Sequence, residues 1–248
     1  MEAVLEARGL CKRFGAVVAA EEISVAFQRG EVVGMVGANG AGKTTFVNLV
    51  TGYIKPDRGQ ICYRGQDISG QPPRLVTRMG ITRSFQIPQL YLKLTILENV
   101  LIALAAGSGH SSAFWTALKT PRRTAEALGL LEQFQLQDYA QRAVDELPEG
   151  GRKILDIAMS FALKPSVLLL DEPTSGVSVE DKFDVMDTLI GVLKRSGVTT
   201  LFVEHDMEVI ERYAERVLAF VGGRIIADGE PKTLLADEDL QRAVTGLG

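Results

Sequence analysis

The chain falls into blocks of different hydrophobic period. Val4 to Leu10 and Ile23 to Phe27 alternate and are rich in β-branched residues, and with Val32 to Val36 they predict an antiparallel β flank. The apolar run from Glu31 to Val36 leads into a Gly-rich stretch and then a predicted helix from Thr44 to Val50. Gln60 to Tyr63 reads as a strand, Gly65 to Ile68 as a turn, and Ile81 to Phe85 as a short strand ending at Gln86. From Ile87 to about Pro165 helical periodicity takes over, with helices expected at Ile96 to Ala105 and Thr124 to Phe134. Between them Gly107 to Ser112 is flexible by composition, and the short basic run Lys119 to Arg123 reads as a solvated face. Strand patterns then return. Val167 to Leu170 is continuously apolar and runs into Asp171 and Glu172; Thr199 to Val203 is similar and runs into Glu204, His205 and Asp206. Such runs mark strands buried on both faces, as in a parallel sheet. An amphipathic helix, Glu180 to Lys194, separates them, and a hairpin around Gly222 and Gly223 follows. The pattern as a whole predicts an α/β core with a helical insertion.

The stretch Gly37-Ala38-Asn39-Gly40-Ala41-Gly42-Lys43-Thr44-Thr45 carries the clearest chemistry. Strand, Gly-rich loop and helix follow in the order a phosphate-binding P-loop needs. Glycines let successive N–H groups turn inward around phosphate oxygens, and the helix start adds its unpaired N–H groups and positive dipole end. Lys43 is then expected between the β- and γ-phosphates, with the Thr44 hydroxyl on Mg²⁺. The second oxygen ligand is expected from Asp171, and Glu172 can polarise an attacking water as general base. Ligands bind outside the carboxyl ends of such strands, which also brings in His205 as a group facing the γ-phosphate. His110 has no comparable context. Phe14 is open between an ordinary core residue and an aromatic face for a nucleobase.

Composition narrows the class. The 248 residues, 46% of them apolar, suit one α/β domain or two small ones. No apolar run approaches the roughly 20 residues that cross a bilayer. The start shows no signal-peptide order, and Cys11 and Cys62 stand apart in no metal-binding spacing, which fits a reducing cytoplasm. A net charge of −4 gives no argument for nucleic acid.

Gly37 to Thr45, Gln86, Leu147 to Gly151, Leu168 to Glu172 and His205 stand in the order and near the separations of the ABC ATPases, and the chain resembles that family over essentially its whole length. The resemblance implies a P-loop NTPase core with an antiparallel β flank and an inserted helical subdomain. Residues 1–248 would form one domain, with 1–86 and 166–248 as the RecA-like core plus β subdomain and 87–165 as the helical subdomain. It implies ATP as substrate with Mg²⁺, and hydrolysis coupled to transport. Phe14 then resembles the adenine-stacking aromatic, and Gln86 the glutamine that contacts Mg²⁺ and water and faces the membrane subunit. Glu172 resembles the catalytic glutamate and His205 the switch histidine. Gly150 and Gly151 belong to the signature that binds nucleotide held by a second subunit. Partners are thus transmembrane permease subunits and a second ABC ATPase, with the chain peripheral on the cytoplasmic membrane face.

Lys12 to Gly15, Thr82 to Gln86, Thr95 to Val100 and Val203 to Met207 resemble the branched-chain amino-acid importer group, which includes urea importers and the ATPase of lipopolysaccharide export. Two departures stand out. The usual Leu-Ser-Gly-Gly-Gln signature is Leu147-Pro148-Glu149-Gly150-Gly151, so that Pro148 lacks hydroxyl and N–H while Glu149 brings charge toward a phosphate. Ser178 stands where an aspartate is usual. The alternatives are a low-turnover nucleotide-gated regulatory subunit and a soluble ABC ATPase outside transport.

Overall fold

The structure, a computed structural model, describes residues 3–84, 90–107 and 119–245. Its centre is a six-stranded sheet. Strands β3 (Val32–Val36), β7 (Val167–Asp171) and β8 (Thr199–Val203) are buried at every position. With β6 (Ile81–Arg83), β9 (Arg216–Val221) and β10 (Arg224–Gly229) the order is β10-β9-β3-β8-β7-β6. All neighbours pair in parallel except the β9–β10 hairpin. This corrects the expectation for Val32 to Val36. A strand flanked by parallel neighbours on both edges and covered on both faces belongs to the core sheet, and its unbroken apolarity is the reason.

The antiparallel flank is a second sheet, β2-β1-β4-β5, built from β1 (Ala3–Phe14), β2 (Val17–Gln28), β4 (Arg58–Tyr63) and β5 (Gln66–Asp67). The expected turn at Gly65 to Ile68 therefore contains a short strand: Gln66 pairs with Tyr63 and Asp67 with Cys62. Helix α1 (Lys43–Val50) lies between the two sheets, and its buried Phe46 sits between Phe27 of the flank and Phe220 of the core.

Helix α2 (Pro73–Met79), which the sequence reading passed over, opens with proline at its first position. The helical region holds α3 (Ile96–Gly107), α4 (Pro121–Gln133) and α5 (Glu149–Phe161). Helix α3 starts at a reciprocal cap: the Glu98 N–H donates to Thr95 Oγ1 at 3.1 Å, and the Thr95 N–H donates to Glu98 Oε2 at 2.9 Å. Thr120 Oγ1 accepts from Arg123 N at the start of α4. Lys119 pairs with Glu98 and the basic run stays at the surface, as expected. Helices α6 (Lys182–Arg195), α7 (Met207–Tyr213), α8 (Pro231–Leu235) and α9 (Glu238–Thr245) complete the chain. One apolar layer runs from Val32 and Leu168 through α6 to Leu97, Leu131 and Leu155, so the helical region shares the core of the sheet. The Gly/Ser loop expected after Gly107 and the Gln86 position lie outside the described residues.

Candidate functional site

The site forms where the carboxyl ends of β3, β7 and β8 meet the start of α1. Gly37, Gly40 and Gly42 all have positive φ, and two of them are held by close backbone. A Cβ on Gly37 would stand 2.4 Å from Phe220 O, and one on Gly42 would stand 2.7 Å from Ala19 O. Only glycine fits either position. The second position brings the loop close against β2 at Ala19, and Gly223 N donates to Ala41 O from the β9–β10 hairpin at 2.9 Å. Helix α1 has no side-chain cap at Gly42, and the first N–H groups of a helix have no acceptor within it.

Lys43 is buried, and its Nζ donates to Gly37 O at 2.5 Å and to Ala38 O at 3.1 Å. Burial pushes its pKa below the ordinary lysine range, against the pull of the Glu172 and Asp171 carboxylates. Asn39 through Thr45 line one side of a cleft of about 110 Å³, and Glu172, Val203 and His205 line the other. A cleft of this volume is far below the size of an organic-ligand pocket and is large enough for a phosphate group.

Glu172 N donates to Val203 O at 3.0 Å, which sets the residue at φ +49° just beyond the end of β7. Its Oε1 lies 3.1 Å from His205 Nε2. Buried Glu204 accepts from Thr174 N at 2.9 Å, Thr174 Oγ1 at 2.7 Å and His205 N at 3.2 Å, and so fastens the turn after Glu172 to the turn carrying the histidine. Asp171 is nearly buried and paired with Arg83 of β6, whose other terminal nitrogen donates to Asn48 Oδ1 of α1 at 2.6 Å. Thr44 and Asp171 are hard oxygen donors of the kind Mg²⁺ takes, one or two from protein and the rest from water and phosphate.

Phe14 is 51% exposed, which removes the reading of it as core. It sits at the end of the β1–β2 hairpin, paired with Val17, with Lys12 Nζ 5.6 Å from its ring centre. Strand β2, which carries the hairpin, abuts the phosphate loop at Ala19. Gly150 and Gly151 lie in the first turn of α5, behind Pro148 at the cap position. A Cβ on Gly150 would come within 3.0 Å of Val185 Cγ2, so this glycine also lets α5 close on α6. Glu149 does not project freely. Its Cγ lies against Gly176, and its carboxylate is 3.9 Å from Arg152. Arg83, Asn48, Glu204 and Lys153 were not singled out from sequence. The available signal was weak: Glu204 directly follows a run read as buried, where a charged group needs partners, while nothing in the sequence marked the other three.

The comparisons meet this geometry at one point. The family model described as ABC transporter matches residues 20–175, which contain the phosphate loop, the signature turn and Asp171–Glu172. The chain belongs to the ABC transporter family. It is an ATPase. The chain is 32% identical over 250 residues to the high-affinity branched-chain amino acid transport ATP-binding protein LivG of Salmonella typhimurium, covering 98% of each. It is 33% identical over 238 residues to the probable branched-chain amino acid transport ATP-binding protein LivG of Archaeoglobus fulgidus, covering 94% of this chain and 91% of that protein. A crystal structure of the ADP conformation of an ATP-binding cassette of an ABC transporter superposes with a TM-score of 0.88 at 29% identity, over 98% of each chain. Among the described residues no helix is long and apolar enough to cross a membrane.

Proposed function

We propose that this chain is the ATP-hydrolysing motor subunit of an importer for branched-chain amino acids or a related small polar solute such as urea. The observation that carries the reading is the single cleft shared by the phosphate loop, Glu172 and His205. The names of the relatives support the cargo class.

In this reading the N–H groups of residues 37–45 and the Lys43 ammonium hold the phosphates, and Phe14 stacks on adenine. Thr44 and Asp171, with Gln86, would hold Mg²⁺, which would screen the phosphate charge. Glu172 takes a proton from water as the water oxygen bonds to the γ-phosphorus. The bond from that phosphorus to the bridging oxygen breaks and ADP leaves with the electron pair. His205 holds the γ-phosphate and the Glu172 carboxylate in register. Gly150 and Gly151 serve a nucleotide held by a second ATPase subunit, and that subunit's signature serves the nucleotide held here.

Residues 1–86 and 166–248 act as the core lobe and 87–165 as the helical lobe of one domain. Between the lobes a groove of about 310 Å³ is lined by Tyr53, Tyr91, Ala103, Met159 and Leu163. Half-exposed Tyr53 and Tyr91 at its rim suit an apolar docking element of a permease, which supports a peripheral position of the chain on the cytoplasmic membrane face.

The test is Glu172→Gln. The amide is isosteric and the backbone bonds of residue 172 remain, so Mg·ATP affinity stays within about twofold while turnover falls roughly 10²-fold or more, the scale of a lost general base. Turnover at the wild-type rate would remove Glu172 from the mechanism.

A further inference from the structure

Glu172 adopts a backbone conformation that non-glycine residues rarely visit, and such positions persist only when their surroundings over-determine them. Three groups do so here. The Glu172 N–H donates to Val203 O at 3.0 Å, and its carbonyl accepts from Ser175 N at 3.1 Å and from Lys153 Nζ at 3.4 Å. The first two partners belong to the core. The third comes from α5, the helix whose first turn holds Gly150 and Gly151.

Lys153 is only 3% exposed. Packing alone does not account for a lysine here, because a methionine would fill the same buried position, one turn before Ile157, without the desolvation cost of an ammonium. Burial pulls the Lys153 pKa down, while the carboxylates of Glu149, Asp156, Glu172 and Glu204 hold its charge in place. The lysine adds a charged donor that reaches off the helix to the peptide of Glu172.

We propose that Lys153 is a positioning residue that ties this chain's signature turn to its own general base. The inference rests on the proposed roles of Glu172 and of Gly150–Gly151. One helical turn separates Gly150 from Lys153, and an α-helix moves as a rigid rod over that length. A displacement of the first turn, made when it engages nucleotide on the second subunit, therefore carries Lys153 with it. The strained peptide of Glu172 follows, and its carboxylate shifts relative to His205 and the phosphate loop. Engagement of one nucleotide is thereby felt at the other.

The experiment compares Lys153→Met, Lys153→Arg and Glu172→Gln in the full-length chain at concentrations where ATP pairs the subunits. Mg·ATP affinity is read with a fluorescent ATP analogue and turnover by phosphate release. Lys153→Met is expected to lower kcat roughly tenfold or more, a fraction of the loss of the base itself, with affinity within about twofold. Lys153→Arg, which keeps a donor and the charge, is expected to recover most of it. Wild-type kcat in Lys153→Met, or Lys153→Arg no better than Lys153→Met, overturns the proposal. If Lys153→Met does not fold, Lys153→Gln is read in the same assays, and wild-type kcat there overturns it equally. The general-base reading fails separately, through normal turnover in Glu172→Gln.

Discussion

Arg83→Met isolates the ion pair that fixes Asp171. The Arg83 side chain is 11% exposed and that of Asp171 is 8% exposed, so the pair is desolvated on both sides. Methionine keeps the volume but deletes both terminal nitrogens, removing the bond to Asp171 and the 2.6 Å bond to Asn48. Breaking a buried pair from one side costs about 3–5 kcal/mol, because the remaining charge stays buried. The Lys43 ammonium also feels Asp171 and takes up part of that charge, which favours the lower end of the range. Losing about 3 kcal/mol is roughly a hundredfold in the folding equilibrium. The assay is urea unfolding of the single variants and of Arg83→Met/Asp171→Asn. Removing both charges relieves the penalty, so the double variant should be more stable than Arg83→Met by 1 kcal/mol or more, on the order of the coupling found between contacting residues. A loss of less than about 1 kcal/mol in Arg83→Met, below the range for a buried pair, would refute the reasoning. So would a double variant no more stable than the single.

Lys43 gives a pH dependence of nucleotide binding. Phosphate binding needs the ammonium, whose pKa in the free chain is lowered by burial, so affinity is full below that pKa and falls as pH rises through it, before the ordinary lysine range is reached. Titrations across about pH 7 to 10 should show this limb in the wild type and not in Lys43→Ala, which binds weakly throughout; a flat wild-type profile refutes the assignment. Phe14→Ala should weaken ATP binding by the roughly 1–3 kcal/mol of an aromatic–base stack and leave thermal stability unchanged, because the ring is half exposed. Equal affinity for ATP in the variant and the wild type, measured by calorimetry, would exclude the stack.

The phosphate loop was legible because its chemistry is local: strand, glycines, lysine and helix start are consecutive, and each has one physical reason to be there. Asp171, Glu172 and His205 were legible for a related reason, since an apolar run that ends in polar residues points them out of the sheet's carboxyl edge. What escaped the sequence depends on distance along the chain. Arg83 and Asp171 are 88 positions apart, and nothing in either neighbourhood names the other. Lys153 reaches a peptide 19 positions on, across a change from helix to strand. A charge inside a buried run signals that a partner exists but not which one. Phe14 could not be decided because exposure at a hairpin end is set by what packs over it. Val32 to Val36 shares the β-branched content of the flank strands, but its unbroken apolarity requires burial on both faces, which only the core sheet provides.

The two nucleotide-facing surfaces of the chain are built unequally, and the difference is electrostatic. At the phosphate loop the uncapped start of α1 and the Lys43 ammonium favour an anion. At the signature turn Pro148 brings no donor, and Glu149 would oppose an anion if it projected outward. Its side chain folds back instead over Gly176, toward Arg152, with Lys153 behind it. The side chain thus folds back on its own subunit, and no donor is gained. What is left to meet a phosphate is the backbone of Gly150 and Gly151 and the start of α5. These donors are fewer than in a full signature, where serine in place of Pro148 adds a hydroxyl and an N–H. If the chain pairs with a second ATPase subunit as proposed, its phosphate loop would gain more from a signature that retains its hydroxyl and N–H donors than from a second copy, which would bring another turn that starts with Pro148.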